Sequence, residues 1–181
     1  MPTYGAALLI NYDIFIAREM VWMVLFFVFF FSCLLPILNI LFLYWRKAIS
    51  SLQLYDRKER TLPYLSTLMV YGISYYMIKD QLPAPGLTYS MLGGTIAILV
   101  TAIANRFYKV SAHMIGIGGL TGAVLFISVV LGYNTTTELI ILFPIAGILG
   151  AARLALNAHS PFEIWTGYVM GFAVQAVFLF L

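Results

Sequence analysis

Long apolar runs separated by short polar segments dominate the pattern of this chain. Runs of this length without strict apolar–polar alternation predict α-helices that cross a bilayer rather than strands of a barrel. The predicted spans are residues 20–45, 64–78, 87–104, 114–131, 139–152 and 161–181. We therefore expect an all-α, polytopic membrane bundle of about six helices that forms a single domain over residues 20–181.

Residues 1–19 do not continue this pattern. An apolar patch at residues 6–10 is followed by Asp13, Arg18 and Glu19. The segment has neither the basic start nor the small-residue cleavage site of a signal peptide. We expect it to form a short arm that lies at the membrane interface.

Composition agrees with a membrane protein. Only 9% of the residues are charged, against about 25% in soluble domains, and 62% are hydrophobic. The net charge of +3 is small, so the basic residues are better explained by topology and a binding site than by a nucleic-acid surface. The bilayer is the expected partner, and nucleic acid is not. Cys33 is the single cysteine, which excludes an intramolecular disulfide.

One polar segment stands between the last two predicted spans. Ser160, Pro161 and Glu163 form the pattern of a capping box with proline at the first helical position. His159 therefore lies directly before a helix, near its positive end. We expect Glu163, four residues further on, to hold one imidazole nitrogen and leave the other as an acceptor or nucleophile.

Arg153 adds a permanent positive charge to the same segment, and guanidinium groups bind phosphate or carboxylate, often through two nitrogens. A cation, a histidine, a carboxylate and a helix N-terminus together describe a phosphate-binding site. For these residues alone a structural explanation is equally open. Arg153 would then be an interfacial anchor, Glu163 only a cap, and His159 a hydrogen-bonded loop residue.

Two other connections carry polar groups. The loop after the first span contains a charge run at residues 56–60, which on its own is best explained as a solvated segment. The loop after the third span contains Ser111, a predicted N-cap, and His113, which on its own is best explained structurally. Because successive spans alternate in direction, the loops after the first, third and fifth spans lie on one face. This convergence favours a functional site.

The segment that contains His159 resembles the third signature of the type 2 phosphatidic acid phosphatase superfamily, a group of membrane lipid phosphatases and related enzymes. That signature is Ser-Arg-x5-His-x3-Asp. Arg153, His159 and Glu163 stand at its spacings, with Ala152 in the serine position and glutamate in the aspartate position. The six-span layout extends the resemblance over most of the chain after residue 19.

The other two signatures of the superfamily are matched less completely. Residues 110–113 read Val-Ser-Ala-His and share the serine and histidine of the second signature, Pro-Ser-Gly-His. The first signature, Lys-x6-Arg-Pro, does not occur in that form. Its nearest counterpart is residues 57–63, which lie in the corresponding loop with altered spacing.

The resemblance implies a role for each matching residue. His159 would attack phosphorus and form a phosphohistidine, while Glu163 would orient and stabilise the imidazole. His113 would protonate the leaving alkoxide and then activate water. Arg153 and Ser111 would bind the phosphate oxygens.

Further cations are expected to reach the phosphate from the other loops. Lys58 and Arg60, with Arg57 behind them, are the candidates after the first span, and Lys109 is a substitute if the altered first signature has lost this role. The scheme needs no metal and no cofactor, because cations neutralise the phosphate. The sequence also has no cluster of carboxylates suited to magnesium.

A phosphorylated lipid is the expected substrate, because it can reach a site at headgroup level by lateral diffusion. Phosphatidate, phosphatidylglycerol phosphate, polyprenyl diphosphates and phosphorylated saccharolipids all fit. We expect an integral protein of the bacterial inner (cytoplasmic) membrane. Eight of the ten basic residues lie on the motif face, which favours a cytoplasmic site, whereas the resemblance to bacterial enzymes favours the outer face.

Three other functions stay open. The altered first signature and the glutamate at position 163 are compatible with a catalytically lapsed relative that binds or transports phosphorylated lipid. A phosphotransferase would pass the phosphoryl group to an acceptor other than water and would need an additional acceptor pocket. A small channel is disfavoured because the polar groups gather at one mouth instead of lining several spans.

Overall fold

The computed structural model describes residues 19–52, 54, 56–81 and 85–179. Every regular element within these ranges is helical, which confirms the all-α prediction. The long helices are α1 (Val21–Trp45), α2 (Thr61–Ile78), α3 (Pro85–Ala104), α4 (Ala112–Leu131), α5 (Thr136–Ala155) and α6 (Pro161–Leu179). A 3₁₀ turn, Lys58–Arg60, leads into α2. Apart from Glu19, the arm predicted for residues 1–19 lies outside the described residues.

Four of the helices in the described ranges are long and apolar enough to cross a membrane. They are α1, α3 from Gly86 onward, α4 as far as Val129, and α5. The chain is therefore a helical membrane protein. Tyrosine and serine recur among the apolar residues of α2, and neither α2 nor α6 belongs to this group, so six crossings stay a prediction.

Several helices begin two or three residues before the predicted spans. Helix α2 begins at Thr61, α4 at Ala112 and α5 at Thr136. The first turn of a helix often contains polar residues, because its N–H groups need partners other than the helix's own carbonyls. An apolar pattern therefore places the start of each helix too late.

Helix α1 contains a π-helical segment, Phe30–Leu34, directly before Pro36. Proline has no N–H to donate to the carbonyl four residues earlier, which belongs to Ser32. The hydroxyl of Tyr71 in α2 donates to that carbonyl instead, at 3.1 Å. Because an unpaired carbonyl is costly in an apolar environment, this hydrogen bond both completes α1 and attaches α2 to it.

Helices α4 and α6 form the most extensive helix pair of the bundle. They meet along two small-residue motifs, Gly118 and Gly122 on α4 and Gly167 and Gly171 on α6. A Cβ atom at Gly122 would lie 2.7 Å from the carbonyl oxygen of Phe172. The two backbones are therefore in direct contact, as small-xxx-small motifs allow between membrane helices.

The other helices surround this pair. Helix α3 packs on α6 and α2, α5 packs on α4, and α1 packs on α2. The connections after α1, α3 and α5 meet at one end of the bundle: Arg57 donates to the Phe107 carbonyl at 2.6 Å, and the Ser111 amide donates to the Glu163 carbonyl at 3.3 Å. The predicted convergence of these three connections is present in the structure.

Gly171→Ala tests whether the contact between α4 and α6 holds the bundle together. The new Cβ would meet the backbone carbonyl of Ile115, which cannot move aside as a side chain can. Overpacking of this kind costs about 1–3 kcal/mol, so we expect a lower Tm for the purified protein in detergent. Gly147→Ala in α5 is the matched control, since its Cβ would meet nothing within 4 Å. Equal melting temperatures for the two variants would contradict this account.

Candidate active site

His159 and Glu163 form the centre of the candidate site. The Nδ1 atom of His159 lies 2.8 Å from Oε2 of Glu163, the distance of a direct hydrogen bond. The contact predicted from their spacing of four residues is therefore present. A carboxylate at Nδ1 favours the tautomer with its proton on that nitrogen, which leaves the lone pair of Nε2 for chemistry.

Ser160 and Glu163 build the start of α6 around this pair. The Ser160 amide donates to Oε2 of Glu163 at 3.2 Å, and the Glu163 amide donates to the Ser160 hydroxyl oxygen at 3.4 Å. These reciprocal bonds are the predicted capping box. The same carboxylate oxygen therefore bonds both the helix start and the imidazole of His159, so the capping box fixes the position of the group that orients the ring.

The chain between Arg153 and His159 forms a compact turn. Asn157 has a left-handed backbone conformation with a φ of 48°. Its amide donates to the Leu154 carbonyl at 2.8 Å, and the Ala158 amide donates to the Arg153 carbonyl at 3.1 Å. These two bonds are a Schellman motif, which closes α5. Because the motif adjoins the capping box, backbone hydrogen bonds fix how far apart Arg153 and His159 lie in space.

Ser111 and His113 reach the same end of the bundle from the start of α4. Ser111 is the N-cap residue, as predicted, but its side chain makes no capping bond. Its hydroxyl is buried and lacks a hydrogen-bond partner among the described residues, while its amide fastens α4 to Glu163. His113 follows in the first turn of α4 with an accessible side chain. A buried hydroxyl without a partner is a candidate contact for a bound group.

Arg60 is the cation that joins the loop after α1 to the site. It is 7% exposed, and it donates through Nε to the Leu54 carbonyl at 2.8 Å and through Nη1 to the Val110 carbonyl at 3.4 Å. Its charge acts on both histidines, His113 and His159. Arg60 therefore ties this loop to the segment before α4 and places a positive charge beside the proposed chemistry.

Lys109 and Arg153 complete a group of three cations with Arg60. Burial lowers the pKa of the Lys109 ammonium, and the charges of Arg60 and Arg153 lower it further, although Glu163 opposes them. Arg153 is half-buried, and its Nε atom lacks a partner within the described ranges. Like charges held close together repel one another, so this group favours an anionic ligand that neutralises them.

The three cations proposed from the loop after α1 differ in position. Lys58 is exposed, and its amide is bonded to Asp56 at 2.9 Å. Arg57 has a structural role, since its side chain bonds Phe107 and its carbonyl accepts from Asn105 at 2.9 Å. The structure therefore brings Arg60 to the histidines and leaves Lys58 at the surface of the loop.

Burial is the largest influence on the pKa of His159 and lowers it below its ordinary value. The hydrogen bond to Glu163 acts in the opposite direction, while the charges of Arg60 and Lys109 add to the lowering. The imidazole is therefore neutral at pH 7. The unfolded chain takes up this proton near pH 6.5 and the folded chain at lower pH. The neutral imidazole of His159 therefore contributes to the free energy of unfolding above pH 6.5, and this contribution is lost as the pH falls through the pKa of the folded state.

The sequence pattern did not single out three polar residues deeper in the bundle. Ser32, Tyr71 and Gln175 line a cavity of about 470 Å³ that has His113 at one end. The signal for Gln175 was its position inside the apolar run of the last helix, where an amide is costly and marks a functional position. Ser32 and Tyr71 gave weaker signals, because serine and tyrosine also occur elsewhere in the first two helices.

The candidate site has groups that can bind an anion and donate or accept protons. It combines an oriented imidazole, a second histidine and three cations at the end of one helix bundle. Comparisons of the chain with protein-family models, curated proteins and solved structures find no match. The support for a function therefore comes from this geometry and from the short signatures in the sequence.

Titration of the histidine rings by NMR tests the environment of His159. The chain has two histidines, so His113→Gln assigns the spectrum of isotopically labelled protein in detergent micelles. We expect an apparent pKa below 6.5 for His159, because burial disfavours the imidazolium. Glu163→Gln should lower this pKa further, since the carboxylate raises it. A midpoint above 6.5 in the unsubstituted protein would indicate an imidazolium–carboxylate pair and contradict a neutral nucleophile.

Proposed function

We propose that this protein is an integral membrane phosphatase that hydrolyses a lipid phosphate monoester or an isoprenyl diphosphate through a phosphohistidine. The observation that carries the proposal is the 2.8 Å contact between His159 and Glu163 at the N-terminus of α6. Arg60 and Lys109 place positive charge beside His159, and Arg153 acts on Lys109 and His113. The spacing of Arg153, His159 and Glu163, which resembles the third signature of the type 2 phosphatidic acid phosphatases, supports the same function.

The first step transfers the phosphoryl group to the protein. Nε2 of His159 attacks phosphorus, and the bond from phosphorus to the lipid oxygen breaks. His113, in its protonated form, gives a proton to the departing oxygen, so the lipid alcohol leaves neutral. Glu163 stabilises the positive charge that develops on the His159 ring, as the carboxylate of a catalytic triad does.

The second step releases phosphate. Water attacks the phosphorus of the phosphohistidine, and His113, now neutral, accepts a proton from that water. The nitrogen–phosphorus bond breaks, inorganic phosphate leaves, and His159 returns to its neutral state. In both steps the proposed role of Arg60, Lys109, Arg153 and the Ser111 hydroxyl is to bind the phosphate oxygens and stabilise their negative charge.

A lipid substrate fits the location of the site. The candidate residues lie at the ends of helices, and four helices in the described ranges are apolar enough to cross a membrane. A phosphate at the level of the lipid headgroups reaches such a site by lateral diffusion while its chains stay in apolar surroundings. We place the protein in the bacterial cytoplasmic membrane as part of this proposal.

A second candidate function is binding or transport of a phosphorylated lipid without hydrolysis. The observation that favours it is the burial of the proposed nucleophile, since the side chain of His159 is 2% exposed. Phosphorus reaches Nε2 only when groups around the ring move aside. Ala152 also lacks the hydroxyl that the third signature provides at its position.

Phosphate release by the purified, detergent-solubilised protein distinguishes these two functions. We expect release from at least one member of a panel of diacylglycerol phosphate, phosphatidylglycerol phosphate and prenyl diphosphates, without added metal and in the presence of a chelator. His159→Gln should reduce the rate by about 10⁴-fold or more, because it removes the nucleophile.

Three results would contradict parts of this scheme. Release that survives His159→Gln would remove His159 as the nucleophile. Binding of a lipid phosphate with no release from any member of the panel would favour the binding protein. Activity that the chelator abolishes and magnesium restores would contradict the metal-independent mechanism.

Lys109→Gln and Lys58→Gln are a matched pair that tests the group of cations. Both substitutions remove one lysine charge, but Lys109 lies among Arg60, Arg153 and Glu163 whereas Lys58 is exposed. We expect Lys109→Gln to lower kcat/KM by about 10²–10³-fold, the cost of losing one donor to a developing anion. Lys58→Gln should stay close to the unsubstituted rate. Equal losses in the two variants would show that charge near the membrane, and not a defined phosphate contact, determines the rate.

A further inference from the structure

A cavity of about 470 Å³ lies inside the bundle next to the candidate site. Its size is in the range of pockets that bind small ligands. The walls are mostly apolar side chains and come from α1, α2, α3, α4 and α6, with one residue of α5. His113 lies at one end, so the cavity begins at the proposed acid–base group.

Two polar side chains in these walls have hydrogen-bonding atoms without partners in the described part of the chain. Gln175 is 6% exposed and Ser32 is 9% exposed. The Nε2 atom of Gln175 and the hydroxyl oxygen of Ser32 are both buried without a hydrogen-bond partner in the described part of the chain. Buried polar groups are normally paired, so two unpaired groups on one cavity indicate a ligand that completes them.

The amide of Gln175 lies well inside the bundle. Its Cβ atom is beside Gly119, which is six residues after His113 on α4. At a rise of 1.5 Å per residue, this separation is about 9 Å along the helix axis. A ligand whose phosphate is held at the histidines and which also contacts Gln175 must extend about this far into the cavity.

The surroundings of Gln175 make room for its side chain. A Cβ atom at Gly93 in α3 would lie 2.8 Å from Oε1 of Gln175, so the glycine leaves space that the amide occupies. On α1, the Ser32 carbonyl freed by Pro36 already accepts from the Tyr71 hydroxyl. The Ser32 hydroxyl, in contrast, has no partner in the described residues, so it is a second hydrogen-bonding group that a ligand in the cavity can use.

We propose that this cavity binds the apolar part of an acylated lipid phosphate, with an acyl carbonyl oxygen accepting a hydrogen bond from Nε2 of Gln175. The inference rests on the proposed function and narrows its substrate class. Apolar walls suit a hydrocarbon chain, and the unpaired amide N–H suits a carbonyl oxygen. An acyl chain joined through an ester or amide has both features. A prenyl chain has no acceptor and would leave Gln175 unpaired.

A matched pair of lipids tests this assignment. One is a diacylglycerol phosphate, and the other is its dialkyl ether analogue, which has the same phosphate and chain length but no carbonyl groups. A prenyl monophosphate is the third ligand. For each lipid we would measure kcat/KM for phosphate release and, separately, retention on the protein by native mass spectrometry.

A matched pair of variants completes the design. Gln175→Leu removes the amide with little change in size. Thr121→Val is the control, because Thr121 is 1% exposed, bonds the Ile117 carbonyl of its own helix at 2.9 Å, and lies outside the cavity lining. Ser32→Ala deletes a single atom and gives a second test if Gln175→Leu does not fold.

In the unsubstituted protein and in Thr121→Val, we expect the diacyl lipid to be preferred over the ether and prenyl lipids by about 10–100-fold in kcat/KM. A site built to bond a polar group discriminates against analogues that lack it. Gln175→Leu should remove this preference by lowering kcat/KM for the diacyl lipid alone. Ser32→Ala should reduce the preference without removing it.

Two results would overturn the assignment and leave the proposed function intact. One is equal use of the diacyl and ether lipids by the unsubstituted protein, and the other is a preference that survives Gln175→Leu. Native mass spectrometry distinguishes a failure of the cavity assignment from a failure of the proposed phosphatase function. If no lipid releases phosphate but retention of the diacyl lipid still depends on Gln175, the proposed function fails and the cavity assignment stands. Retention that does not depend on Gln175 overturns the assignment whether or not phosphate is released.

Discussion

The close approach of two helix backbones, α4 and α6, is the contact on which the rest of the structure depends. Gly118 and Gly171 lack side chains, so each helix lies against the carbonyl groups of the other. Lipid supplies no hydrophobic force between such helices, and close packing provides the attraction instead. Ser111 is the N-cap of α4 and His113 lies in its first turn, while the first turn of α6 contains Glu163. The glycine contact therefore helps to set the distance between the two proposed catalytic histidines.

The positive charges around His159 repel one another, and the phosphate that we propose as ligand would reduce this repulsion. Burial lowers the pKa of Lys109 most, and the charges of Arg60 and Arg153 lower it further because like charges disfavour one another. The structure maintains this repulsion through fixed contacts, such as the two carbonyls that bind Arg60. In the proposed reaction these cations would bind the negative charge that is redistributed over the phosphate and leaving oxygens in the transition state, and only interactions that strengthen there accelerate a reaction.

Local features of the sequence predicted much of the fold and part of the site. The apolar runs indicated helices, and a serine three residues before Glu163 indicated the capping box that the structure contains. The choice between Lys58 and Arg60 could not be predicted, because two basic residues in one charge run differ only once packing buries one of them. The cavity beside Gln175 could not be predicted either, since it depends on the space that side chains from six helices leave between them.

The carboxylate at position 163 serves two partners through one atom, because Oε2 accepts from the Ser160 amide and lies 2.8 Å from the His159 ring. Aspartate, which the phosphatase signature has at this position, is one methylene shorter and reaches fewer partners from the same backbone. Glutamate at position 163 therefore lets one carboxylate connect the start of α6 to the imidazole. The mechanical consequence is that fraying of the first turn of α6 would also release the imidazole, so the local stability of this helix end and the orientation of the ring change together.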